Sequence, residues 1–183
     1  MKSSLYATLL IFLMTFPPPI LAEVDRTIYL VRHAEKQTDG SKDPLLTLTG
    51  QQRALNIAKM LKDRNIAAIY SSDYNRTQQT AQPLAEILGL TVTIYNPAKL
   101  KEFARQLLNH PGNLLIVGHS NTTPELASLL GAEDFGEIDH SEYHRVYQLS
   151  FGPKAIQSEL LFSKPVQKAY LDKNKKNLSQ LKP

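Results

Sequence analysis

At 183 residues the chain has room for one well-buried domain and too little for two. Apolar residues make up 42% and charged residues 21%, which is the balance of a folded globular protein and excludes a disordered one. The formal charge of +4 is mild and lies largely in a Lys-rich end, with no basic stripe carrying aromatics, so nucleic acid is excluded as a partner; the lack of cysteine excludes disulfides, thiolate zinc sites and a cysteine nucleophile.

The first residues read as an address rather than as structure. Lys2 supplies a positive start, Leu5 to Phe16 an apolar run, and Pro17, Pro18 and Pro19 break any helix before Ile20-Leu21-Ala22. A membrane span needs about 20 apolar residues, and this run is too short. Residues 1–22 are therefore expected to be a cleaved signal peptide, with Glu23 as the first mature residue. The destination is then the periplasm or the outside of the cell, with no stable membrane insertion after cleavage.

Thr27 to Val31 is a short β-branched apolar run, as in a buried central strand, and it stops at Arg32-His33. Residues 35–46 are polar, with Gly40 and Pro44, and form a loop. Thr49 and Gln52 make a capping box, after which Ala54, Ile57, Ala58 and Leu61 recur at helical spacing. Ile66 to Tyr70 is a second buried strand, ending at Ser71-Ser72-Asp73. A helix follows from Tyr74 to Leu88, kinked by Pro83 and closed by Gly89. Thr91 to Tyr95 is a third strand, Ala98 to Leu108 a helix, and residues 109–113 a turn. Leu114 to Val117 is the most strand-like stretch and ends at Gly118-His119. Thr123 to Leu130 is helical, and Val146 to Phe151 and Ile156 to Phe162 are the last strands. The folded domain is thus expected over 23–162, followed by a Lys-rich peripheral tail over 163–183.

This alternation predicts an α/β fold, a three-layer α/β/α sandwich around a mostly parallel sheet. In such sheets ligands bind beyond the carboxyl ends of the strands. Arg32-His33 and His119 each follow a strand directly, and Arg76 lies just beyond a third, so topology gathers all four. Arginine forks match phosphate oxygens and keep their charge. A histidine among such cations is held neutral, and its ring nitrogen is then free to attack phosphorus.

Four segments carry a resemblance: Leu30-Val31-Arg32-His33-Ala34-Glu35-Lys36, Leu46-Thr47-Leu48-Thr49-Gly50, Ser71-Ser72-Asp73-Tyr74-Asn75-Arg76-Thr77-Gln78-Gln79-Thr80-Ala81, and Ile116-Val117-Gly118-His119-Ser120. In order and spacing they resemble the histidine phosphatase superfamily, over about residues 26 to 162. The resemblance implies a phosphoglycerate mutase-like fold and hydrolysis of a small phosphomonoester without metal or cofactor. It makes His33 the phospho-accepting nucleophile, with Arg32, Arg76 and His119 binding the phosphoryl oxygens. Thr47 and Gly50 match a structural helix-start signature, and Ser72 and Asn121 lie beside the pocket motifs. For the proton donor it implies an acidic residue some two dozen positions after the second arginine. Glu102 falls near that place, with Glu35 and Glu125 as alternatives. The His-Asp pair of phytase-like members is absent, because Ser120 follows His119.

Three other readings are weighed. A phosphoglycerate-type mutase needs inserted segments, and the stretch between Arg76 and His119 is short. A phosphatase of phosphohistidine proteins fits a compact member but not export. A non-catalytic phosphate-binding module fits poorly with four intact pocket residues. No protein partner is evident. His110, His140 and His144 read as surface histidines, and Tyr143 and Tyr147 as packing residues.

Overall fold

The computed structural model describes residues 25–167, together with Asp172 and Asn174. The expected signal segment and most of the tail lie outside the described residues. Within residues 25–167, six strands and four α-helices follow in the order β1 (Arg26–Arg32), α1 (Leu48–Leu61), β2 (Ile66–Ser72), α2 (Asn75–Leu88), β3 (Val92–Tyr95), α3 (Leu100–Leu108), β4 (Asn113–Gly118), α4 (Thr122–Leu129), β5 (Arg145–Phe151) and β6 (Ile156–Phe162). They form one sheet in the order β3-β2-β4-β1-β5-β6. The pairs from β3 to β1 are parallel, and β5 and β6 are added antiparallel at one side.

The period of two along β1 divides the core. Ile28 and Leu30 pack with Phe103, Leu107, Leu126 and Leu130 of α3 and α4. Tyr29 and Val31 pack on the opposite face with Ile57, Leu61 and Leu84 of α1 and α2. Both faces of the sheet are covered, giving the expected three layers. The register then decides where the strands stop. Arg32 lies opposite Gly118, Ser71 opposite Val117, and the His33 N–H donates to the Gly118 carbonyl at 2.9 Å. Three parallel strands therefore end level at one edge.

The start of α1 differs from expectation. Thr47, not Thr49, is the cap, and its hydroxyl oxygen accepts from the Gly50 N–H at 3.0 Å. Gln52, already inside the helix, donates to Asn56 instead of reaching back. Thr47 is favoured because its own N–H donates to the Glu35 carbonyl at 2.9 Å, which docks the loop on the helix start. Helix α2 runs through Pro83 and closes at Gly89, whose φ of 66° suits glycine. A short 3₁₀ turn at Pro97–Lys99 delays α3 until Leu100. Beyond β6, Ser163 donates its N–H to the His144 carbonyl, and Asn56 of α1 donates to the carbonyls of Lys164 and Pro165. The packed chain therefore continues past the strand end.

Gly50 has no room for a side chain: a Cβ there would stand 2.1 Å from the Glu35 carbonyl oxygen. Alanine gains about 1 kcal/mol in helix propensity, but displacing the loop backbone costs about 1–3 kcal/mol. Gly50→Ala is therefore expected to lower the thermal midpoint, and Thr47→Ala to cost about 1 kcal/mol through the lost cap. Calorimetric melting of both variants checks this.

Candidate active site

The level strand ends bring Arg32, His33, Arg76 and His119 to one cleft of about 550 Å³. The two imidazoles meet edge to face with ring centroids 5.5 Å apart. His33 is 4% exposed, and its Nδ1–H donates to the Ala34 carbonyl at 2.8 Å. A carbonyl only accepts, so the proton sits on Nδ1 and the Nε2 lone pair is left for chemistry. The Ala34 peptide is itself held, since its N–H donates to Thr80 Oγ1, which donates to the Arg76 carbonyl. Burial, followed by the Arg32, His119 and Arg76 charges, lowers the His33 pKa to about 3 against the opposing Ala34 bond.

Each arginine is fixed by groups other than a phosphate. The Arg32 Nη1 donates to the carbonyls of Asp139, His140 and Glu142 at 2.9, 3.2 and 2.9 Å, and its guanidinium lies 4.2 Å from the Tyr143 ring centroid. Arg76 stacks on Tyr74 at 4.3 Å and reaches Asp43 at 3.5 Å. Both Nε atoms are buried and have no hydrogen-bond partner. What suits the cleft to an anion is the convergence of the two guanidinium cations on it beside two neutral histidines.

His119 is oriented by a relay the sequence hinted at only through the position of Ser72. Arg76 Nη2 donates to His119 Nδ1 at 3.4 Å, which places the histidine proton on Nε2. That proton is donated to Ser72 Oγ at 2.9 Å, Ser72 donates to Thr77 Oγ1, and Thr77 to the Tyr74 carbonyl. Burial first, then Arg76 and Arg32, lowers the His119 pKa to about 4. Gly118 permits the approach of this strand end, since a Cβ there would stand 2.9 Å from the Tyr95 hydroxyl.

The proposed proton donor does not join the others. Helix α3 buries Leu100, Phe103, Ala104 and Leu107, so Glu102 falls on its outer face. It is 65% exposed, pairs with Lys99 at 3.6 Å, and borders a separate depression beside Tyr95 and Phe103. Glu35 turns away from the cleft to Arg53, which holds both carboxylate oxygens at 2.6–2.9 Å. Glu125 is exposed on the first turn of α4. Instead the cleft is lined by Lys36, Tyr74, Asn121 and His140 in addition to the expected four. Nothing in the local sequence of His140 signals this, because a distant loop carries it there. Among the described residues no cluster of three His, Asp or Glu side chains could hold a metal. A cavity of similar size at the opposite end of the sheet is lined by Lys154 and by Arg26, and the latter is committed to the carbonyls of Leu107, Leu108 and His110.

Two expectations follow. Ser72→Ala leaves the His119 Nε2–H without its acceptor and is expected to cost about 1–3 kcal/mol while the Arg76 bond keeps the proton on Nε2; urea unfolding with ¹⁵N tautomer spectra checks both. Both histidines bind protons less readily when folded, their pKa values falling to about 3 and about 4. Their contribution to stability is complete above the unfolded value of about 6.5 and is lost as pH falls toward 4 and then 3. Urea unfolding from pH 7.5 to 4 should show this decline, with a shallower slope in His33→Gln.

Residues 28–105 match the sequence profile of the histidine phosphatase superfamily (branch 1). A curated relative, the "Probable phosphoglycerate mutase GpmB" of Escherichia fergusonii, is 37% identical over 73 residues, which are 37% of this chain and 34% of the relative. The match thus spans about a third of that protein's length. Among solved structures, a mycobacterial glucosyl-3-phosphoglycerate phosphatase superposes with a TM-score of 0.60 at 18% identity, covering 78% of this chain and 100% of its own. The protein histidine phosphatase SixA gives 0.61 at 16% identity, covering 75% and 96%. At these identities the likeness is one of fold. Residues 28–105, with three of the four motifs, thus carry the histidine phosphatase superfamily profile, and the fourth motif, at Gly118-His119, ends level with the first at the sheet edge.

Proposed function

We propose that the protein is a metal-independent phosphomonoester hydrolase acting through a phosphohistidine on His33. The observation that carries this reading is the neutral His33, its Nε2 unbonded, in one cleft with the Arg32 and Arg76 guanidinium ions. A phosphoryl group drawn to those cations is brought toward Nε2. Attack places the phosphoryl on Nε2 while Nδ1 keeps its proton on the Ala34 carbonyl. Arg32 and Arg76 offset the charge that builds on the equatorial oxygens, and His119 holds the Arg76 guanidinium in place. Water then cleaves the P–N bond and regenerates His33. The leader-like residues 1–22 support placing this activity outside the cytoplasm, on a small phosphorylated substrate.

The name of the curated relative favours a second reading, interconversion of phosphoglycerates. Only a short stretch, β3 and α3 with their turn, separates α2 from β4, which leaves little chain to enclose a transferred intermediate.

Incubation with p-nitrophenyl phosphate in EDTA is expected to release phosphate and to trap an acid-labile, alkali-stable phosphoenzyme. His33→Ala should lose more than the roughly 10²–10³-fold typical of removing a single charge-stabilising donor. Undiminished release by that variant would sink the proposal. Phosphoglycerate interconversion outpacing hydrolysis would favour the mutase.

A further inference from the structure

We propose that His140 is the proton donor to the leaving group. The inference rests on the phosphohistidine route above. An alkyl phosphate departs as an alkoxide unless a proton arrives as the P–O bond breaks, so the cleft needs an acid on its solvent side.

The carboxylates nearest the site are all engaged elsewhere. Glu35 is held by Arg53. Asp43 accepts from the Asn75 backbone N–H and pairs with Arg76. Glu142 is bonded to Arg145 at 2.7 Å. Among the described residues no carboxylate lines the cleft; the groups there that carry a transferable proton, beyond His33 and His119, are His140, Lys36 and Tyr74. Of these side chains, imidazole is the usual general acid and base, able to give a proton in one step and take one back in the next.

Position supports the same residue. His33 lies at the floor, 4% exposed, and His140 is an exposed lining residue, so it stands on the side from which a leaving group departs. Its loop is anchored rather than loose. The carbonyls of Asp139, His140 and Glu142 converge on one nitrogen of Arg32, the residue before the nucleophile. The charges facing His140 are Asp139 beside it, Arg32 beneath it, and Lys36, Arg76 and the two site histidines around the cleft.

In the first step the His33 Nε2–P bond forms, the P–O bond breaks, and the departing oxygen takes the imidazolium proton of His140, giving an alcohol and neutral His140. In the second step neutral His140 accepts a proton from the attacking water. The P–N bond breaks, inorganic phosphate leaves, and the imidazolium is restored.

The leaving group's own acidity tests this. p-Nitrophenolate leaves without a proton and ethoxide does not. His140→Gln is expected to lower kcat/KM for ethyl phosphate about 10²-fold more than for p-nitrophenyl phosphate, and to remove the alkaline limb of the ethyl phosphate profile. His140→Glu should restore part of the ethyl phosphate rate with the limb moved to lower pH. Equal losses on both esters, no loss on ethyl phosphate, or a larger selective loss in Lys36→Met would each overturn the assignment. So would a wild-type protein that cleaves the aryl ester but no alkyl ester. Failure of the wild type on p-nitrophenyl phosphate itself would instead overturn the phosphohistidine reading.

Discussion

The pairing of β1 with β4 is the constraint on which the site depends. With Arg32 opposite Gly118 and the His33 N–H on the Gly118 carbonyl, the two histidines leave the sheet side by side. A slip of one residue would turn Arg32 and His33 to opposite faces and bury the wrong half of the strand. Because Ile28, Tyr29, Leu30 and Val31 are fully packed on two faces, such a slip would disrupt both halves of the core. The apolar core and the polar edge are therefore fixed by the same hydrogen bonds.

Electrostatics at that edge runs against stability. Arg32 and Arg76 stand close to two histidines, and burial reinforces their effect in keeping both rings neutral. Arg32 is held by carbonyl dipoles and an aromatic face, which position the guanidinium without cancelling its charge. Arg76 is partly offset by Asp43, at a distance that leaves its Nε free. A tighter carboxylate partner would steady the folded chain and spoil the anion site. The two layers of apolar packing carry the stability that this edge gives up.

Much of this was legible in the chain. Strand ends were readable because buried strands form unbroken apolar runs, and Arg32-His33, Ser71-Ser72 and Gly118-His119 mark where those runs stop. The meeting of Arg32, His33, Arg76 and His119 in one cleft follows from that. Glu102 was misplaced because counting from Arg76 ignores which face of α3 meets the sheet. The cap was set two residues late because the Glu35 carbonyl, fifteen positions from Gly50, selects Thr47. Glu35 and Lys36 look like a neutralising pair in sequence; in the fold Glu35 goes to Arg53 and Lys36 to the cleft. His140 and Tyr143 reach the site through three backbone carbonyls and a ring face, none of which leaves a side-chain pattern to read.

The stacked arginines, Arg32 tied to carbonyls as well, have one more consequence, for the end of the proposed reaction. Their planes are set before any ligand arrives, so little ordering entropy opposes the capture of a tetrahedral oxyanion. Inorganic phosphate presents the same oxygens as the ester it came from. A cleft so rigid toward the substrate's head is equally rigid toward its product. If phosphate is the product, as proposed, its escape governs turnover and ambient phosphate brakes it.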